Sequence, residues 1–213
     1  VILTRSDPIV TGNVFDKQAS RHPLERRVVD RFNRRLVEIV RGLVPRRVIE
    51  IGCGEGNVVE LVKQELPGCR YVAADIDRSL LEQSAARGAD QTVLIDPERP
   101  PRLPFPDRDF DLCLIIETLE HVPQPEATLD EAARLAPALV ASVPFEPWWR
   151  MLNVLRLRYV GRCGNTPGHI NHWGRRGLRR LVAARFNVER VETVFPWLVL
   201  VAGPLSREGP RRD

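Results

Sequence analysis

Lysine is almost absent from this chain: Lys17 and Lys63 are the only two among 32 basic residues, and arginine carries the charge. Against 28 acidic residues the net excess is only +4. So small an excess argues against nucleic acid as the partner, although Arg175, Arg176, Arg179 and Arg180, and again Arg207, Arg211 and Arg212, form local clusters. Such clusters suit either an anionic partner or a solvated helix face. Cysteine is sparse too. Cys53, Cys69, Cys113 and Cys163 include no CxxC pair, and three of the four lie in or beside apolar runs, where a reduced thiol packs as a small hydrophobe. A disulfide framework is thereby disfavoured. No apolar run approaches the roughly 20 residues of a membrane span, and the N-terminus has no signal-peptide core. The expectation is a cytoplasmic protein without a membrane span. A hydrophobic fraction of 43% and a charged fraction of 28% are ordinary for a globular chain, which leaves neither disorder nor a fibrous repeat. A length of 213 residues suits one domain with one core.

What is present is an alternation of helical and strand patterns. From Pro23 to Leu43, Val28, Val29, Phe32, Leu36, Ile39, Val40 and Leu43 recur at helical spacing, which predicts an amphipathic helix. Pro45 follows, and then RRVIEIG reads as a buried strand. Further strands are expected at RYVAAD, at QTVLID (residues 91–96) and at FDLCLIIE (Phe110 to Glu117), with ALVASVP as the fifth. Helices are expected from the glycine loop to about Leu66, from Arg78 to Arg87, from Gln124 to Leu135 with Pro125 in its first turn, around Trp148 to Arg158, and from Arg175 to Ala184. Strand and helix alternating at this spacing imply an α/β fold with a parallel sheet. NVERVETVF and WLVLVAG, joined only by Pro196, suggest a closing antiparallel hairpin. Val1 to Pro8 and Pro204 to Asp213 look like frayed ends.

The first strand runs into VIEIGCGEGN, which sets Glu50, Gly52, Gly54 and Gly56 at its end. Glycines there let the backbone adopt positive φ and let a ligand come close. A GxGxG alone also serves dinucleotides or tight packing. Here a strand precedes it, a helix follows, and Asp75 ends the second strand 19 residues beyond Gly56, where a carboxylate can accept both hydroxyls of a ribose. Glu50 is notable because an apolar residue would cost less inside this strand; burying a charge is expensive.

ExGCGxG, then AADID, then LPFPDRDFDLCLIIETLEHV together resemble the class I S-adenosylmethionine-dependent methyltransferases of the small-molecule type, over roughly residues 45 to 145. The resemblance implies a Rossmann-like, doubly wound, three-layer fold whose mostly parallel sheet has an antiparallel last strand. It implies S-adenosyl-L-methionine as cofactor, with Glu50 and the Gly52 to Gly56 loop near the methionine part, Asp75 on the ribose, Ile76 on the adenine face and Asp96 at the adenine amino group. Asp96 precedes Pro97 and equally suits a turn. Residues 1–44 would form an N-terminal arm and helix, 45–145 the cofactor-binding core, 146–203 the substrate side, and 204–213 a flexible tail. Phe15 and Arg21 are candidates for an arm closing over the cofactor.

IIETLEHVP carries ExxEH, namely Glu117, Glu120 and His121. If the strand leads straight into a helical turn, both carboxylates can face the same side with the imidazole adjacent, which makes a candidate site for Mg²⁺, Mn²⁺ or Zn²⁺. This motif resembles the ubiquinone-biosynthesis O-methyltransferases and the small-RNA 3′-terminal 2′-O-methyltransferases, both metal-assisted. LEHV also occurs in methyltransferases without a metal, so both readings stand. Glu117 is counted with the cofactor residues as well. GNTPGHINHW crowds His169, Asn171 and His172 into one polar loop, the kind of insertion that lies over the carboxyl ends of strands. His172, His169 and His121 are the candidate bases, and one of the loop histidines is a further candidate metal ligand. Phe145, Trp148, Trp149 and Tyr159 suit either core or the wall of an apolar pocket. A small-molecule acceptor methylated on oxygen or nitrogen is the first expectation. RNA 2′-O-methylation is the alternative from another substrate class, and a non-catalytic cofactor-binding protein the third.

Overall fold

The computed structural model describes residues 23–156 and 159–205. Phe15, Arg21 and residues 206–213 of the expected tail lie outside the described residues. The elements run α1 (Pro23–Leu43), β1 (Arg47–Ile51), α2 (Asn57–Glu65), β2 (Arg70–Asp75), α3 (Arg78–Ala86), β3 (Gln91–Leu94), β4 (Leu112–Ile116), α4 (Pro125–Leu135), β5 (Ala138–Pro144), α5 (Trp148–Leu155), a 3₁₀ turn (Val160–Arg162), α6 (Arg175–Ala183), β6 (Asn187–Val194) and β7 (Trp197–Gly203).

The seven strands form one sheet in the order β3-β2-β1-β4-β5-β7-β6. Pairings from β3 through β5 are parallel, and β7 runs antiparallel to both β5 and β6. The α/β architecture with its closing antiparallel strand is thus as the sequence implied. Strand alternation divides the apolar residues between the two faces. Ile49 and Ile51 join Cys113, Ile115 and the buried sides of α4 and α6. Val48, Tyr71, Ala73, Leu112 and Leu114 pack under α1, α2 and α3. The result is helix, sheet, helix, and strands covered on both faces can be apolar throughout: β4 reads LCLII and is buried at every position.

Two expected strands are shorter than their apolar runs. QTVLID contributes only Gln91–Leu94, at the sheet edge, where Gln91, Thr92 and Leu94 are exposed. Ile95 still donates its amide to the Asp75 carbonyl at 2.8 Å. The fourth strand starts at Leu112 rather than Phe110 and stops before Glu117, and α5 ends at Leu155. No helix among the described residues is long and apolar enough to cross a membrane. Cys53, Cys69 and Cys113 are buried free thiols, and Cys163 is exposed.

The order of strands decides where a ligand can sit. From β1 the chain winds outward to β2 and β3, then returns to place β4 on the other side of β1. Helices leaving β1 and β4 diverge to opposite faces, so a crevice opens at the carboxyl ends of these strands. One border of that crevice, the loop before β4, is held by α4. Glu131 accepts from the Leu103 amide at 2.7 Å and from the guanidinium of Arg134 at 2.6 and 2.8 Å, and Arg134 donates to the carbonyls of Leu103 and Phe105. The Glu131 side chain is only 3% exposed, so this pair is not a solvated surface bridge. Glu131→Ala strands the Leu103 amide and leaves the mostly buried Arg134 guanidinium with the exposed Asp107 as its carboxylate partner. We expect a loss on the order of 3 kcal/mol in denaturant unfolding; a loss under about 1 kcal/mol would make the pair an ordinary surface contact.

Candidate active site

A cavity of about 580 Å³ occupies this crevice. Glu50, Gly52 and Gly54 reach it from β1 and its loop, Asp75 and Ile76 from the end of β2, Asp96 from beyond β3, and Glu117, Glu120 and His121 from beyond β4. His169 enters from the loop before α6 and Trp149 from α5, while Phe32 of α1 and Phe195 to Trp197 complete the lining.

The glycine loop is shaped by close approach. Gly52 has φ +78°, and a Cβ there would lie 2.4 Å from the Thr118 side chain; at Gly56, φ +81°, it would meet the Ser84 backbone at 2.6 Å. A side chain is excluded at both by neighbours as well as by conformation. Gly54 differs. Its φ is +53°, yet a Cβ would find nothing within 4 Å, so the loop leaves open space where a ligand can lie against bare backbone. Asp75 fixes that loop: its Oδ2 accepts from the Gly54 amide at 2.8 Å and its Oδ1 from the Asp77 amide at 3.2 Å. Burial pushes the Asp75 carboxyl above its usual range, and the amides of Gly54, Asp77 and Ile76 work against that rise.

Glu50 is buried at 1% exposure, and the Tyr71 hydroxyl donates to its Oε2 at 2.8 Å. Burial pushes its pKa up from 4.5 to about 8, partly countered by the Tyr71 hydroxyl, with the charge of Asp75 adding to the rise. Tyr71 was not singled out from sequence, although a tyrosine inside an otherwise apolar buried strand marks a hydroxyl in need of a partner. Asp96 lines the cavity and also makes a turn, its Oδ1 accepting from the Glu98 amide at 2.9 Å and its Oδ2 lying 3.5 Å from Arg99.

Beyond β4 the backbone does not enter a helix. Glu117 has φ +54°, and its carboxylate turns to the Trp197 indole N–H of β7 and to the Ser142 hydroxyl of β5. The expected trio of Glu117, Glu120 and His121 is therefore divided. Glu120, His121 and His169 come together instead, each offering a ligand atom within 4.8 Å of the others. Asn171 makes that meeting possible. Its Nδ2 donates to the carbonyls of Leu119 and Val122 at 3.1 and 2.7 Å, and the amides of Ile170 and Asn171 both donate to the Glu120 carbonyl. The polar loop is thus clamped along the turn carrying His121. The His121 ring lies edge-on to that of His169 at 4.8 Å, with its Nδ1 3.0 Å from the Gly168 carbonyl. A carbonyl only accepts, so Nδ1 donates and the lone pair of the neutral ring falls on Nε2. His172 is not among the cavity residues; it is exposed, its Nε2 2.8 Å from Asn165 Oδ1, with burial of the ring and nearby Arg150 lowering its pKa. Trp149 stands over His169 in a stacked arrangement at 6.3 Å and over Trp197 at 5.8 Å.

Residues 20–192 match the family model described as a methyltransferase domain. The chain belongs to this methyltransferase-domain family. Among curated proteins it is similar to a demethylmenaquinone methyltransferase of Thermotoga maritima, 24% identical over 57% of this chain and 55% of that protein. It is also similar to a norajmaline N-methyltransferase of Rauvolfia serpentina, 33% identical over 43% of this chain and 32% of the relative. The chain thus spans about a third to a half of the length of these relatives. Among solved structures, an S-adenosylmethionine-dependent methyltransferase of Thermotoga maritima superposes with a TM-score of 0.59 at 18% identity, covering 83% of this chain and 90% of that one. That likeness shows the same fold over most of the chain.

The raised pKa of Glu50 has a measurable sign. Between about pH 4.5 and 8 the folded chain keeps a proton on Glu50 that the unfolded chain releases, so this group's share of the stability falls as pH rises through that window and is level above it. Glu50→Gln removes the ionisation and keeps an oxygen for the Tyr71 hydroxyl. Its stability relative to the wild-type chain should climb from pH 5 to pH 8 in unfolding titrations; parallel curves would show that Glu50 titrates normally.

Proposed function

We propose that this protein transfers a methyl group from S-adenosyl-L-methionine to an oxygen or nitrogen of a small, largely apolar acceptor. The observation that carries the reading is one cavity with two unlike halves: a glycine-and-carboxylate half at the ends of β1 and β2, and an aromatic half holding two histidines. The relatives named for norajmaline and demethylmenaquinone methylation support a small-molecule acceptor.

In this reading the open space over Gly54 takes the cofactor, the Asp75 carboxylate accepts from its ribose hydroxyls, Ile76 packs on the adenine, and Asp96 accepts from the adenine amino group. Glu50 faces the cationic methionine part, and a cation there would draw the proton off its carboxyl. The cofactor's sulfonium supplies an already activated methyl carbon. What the chain adds is alignment of the acceptor, exclusion of water and a destination for the acceptor's proton. Trp149, Trp197 and Phe195 exclude water from the aromatic half. His121, with Nδ1 donating to Gly168, has Nε2 as the basic atom, and His169 stands beside it. Asp75→Asn removes one acceptor from the ribose site, and affinity for S-adenosylhomocysteine by calorimetry should fall about tenfold or more. Undiminished affinity would refute the cofactor assignment.

A divalent cation fits the second half. One carboxylate and two imidazoles form a donor set suited to Zn²⁺ or Mn²⁺ and nitrogen-rich for Mg²⁺. Glu120, His121 and His169 would hold the ion, which would acidify an acceptor hydroxyl. Glu117 would stand outside its ligands, since Trp197 and Ser142 engage its carboxylate. Direct titration with Mn²⁺ or Zn²⁺ tests this without an acceptor. Glu120→Gln and His169→Ala should each weaken the ion more than about tenfold and Glu117→Gln less than about threefold. Equal losses for all three would restore Glu117 to the ligand set. Full methyl transfer in chelator would leave the two histidines to act as bases alone.

A further inference from the structure

The helix α5 is apolar on both sides. At about 100° per residue, Trp149, Leu152, Asn153 and Arg156 share one face, and all four line the cavity. Trp148, Met151, Val154 and Leu155 share the opposite face, where all four are exposed, Leu155 to 75%. Such a stripe is costly to leave in water and marks an interaction surface. Arginine dominates the sequence around it. From Pro147 to Val188 the sequence has nine arginines and no aspartate or glutamate. Arg150 lies on α5 beside the apolar stripe, Arg162 is exposed on the 3₁₀ turn, and Arg156, at the cavity edge, shares its charge with Glu25 at 3.5 Å. The α6 arginines begin close by, because the Phe145–Trp173 bridge brings the starts of α5 and α6 together.

We propose that α5 and its arginines dock the protein on an anionic lipid surface, with the outer stripe entering the headgroup region while the inner face walls the substrate cavity. A tryptophan and aliphatic side chains flanked by arginine are what such an interface takes up: apolar area goes into the acyl boundary and guanidinium groups meet phosphate. RNA would satisfy the arginines but leave Met151, Val154 and Leu155 in water. A second copy packed through the same stripe would bring arginines against arginines, the acids beside α5 being already engaged within the chain, Glu25 by Arg156 and Glu146 by the Arg150 amide.

Vesicle co-sedimentation of the full chain tests this independently of methyl transfer. Binding to vesicles of equal parts phosphatidylcholine and phosphatidylglycerol should exceed binding to phosphatidylcholine alone by about tenfold and weaken with salt. Met151→Ser combined with Leu155→Ser should reduce that binding about tenfold or more. Neither residue lines the cavity, so the unfolding midpoint and S-adenosylhomocysteine affinity should stay at the wild-type level. Vesicle binding unchanged in the double variant would overturn the proposal. So would a wild-type dimer that the variant dissociates, or salt-sensitive binding to short RNA with none to vesicles.

Discussion

A carboxylate buried at the end of a parallel strand must be held by something, and two neighbouring strands of this sheet each carry one. Asp75 is held by the amides of Gly54 and Asp77, and Glu50 by the hydroxyl of Tyr71. These bonds do more than compensate for lost water. The Gly54 amide fixed on Asp75 sets the course of the loop, and the loop's course puts Gly52 against Thr118 and Gly56 against α3. A positive-φ glycine against Thr118, two residues beyond β4, then brings the ends of β1 and β4 to one wall of the cavity. The glycine-and-carboxylate half of the site is in this sense one hydrogen-bonded unit, which accounts for its dense marking in the sequence.

That density is why the cofactor half was legible early. VIEI and LCLII are apolar runs bounded by glycine, proline or charge, and strands buried on both faces leave that signature. Asp75 could be found because strand ends are marked by the composition that follows. Edges are less well marked. QTVLID reads as six strand residues, but with only β2 as neighbour, four of them pair.

The acceptor half was legible in composition and not in arrangement. ExxEH places Glu117 and Glu120 on one side only if a helical turn follows the strand. A left-handed residue at Glu117 breaks that premise, and nothing local announces it, because the partner that receives the side chain is Trp197, 80 positions away. His169 presents the converse case. It stands in a loop whose sequence reveals only polarity, and its distance from His121 depends on Asn171 reaching the Leu119 and Val122 carbonyls. Long-range hydrogen bonds chose which residues of a legible list converge. His172, three residues from His169 and chemically identical to it, faces Asn165 instead.

The two halves therefore differ in how much of their geometry is intrinsic. The glycine-and-carboxylate half is built from strand ends whose positions the sheet dictates. The aromatic half hangs on α5, on the loop clamped by Asn171 and on the hairpin bearing Trp197. Trp149 lies against the rings of both His169 and Trp197, and Trp197 in turn donates to Glu117, so α5, a histidine of the cavity and Glu117 are joined by consecutive side-chain contacts. Helix α5 meets the outside through Trp148 and Leu155 and the cavity through Trp149 and Leu152, so one short element joins the surface to the cavity, with Trp149 as the connecting contact.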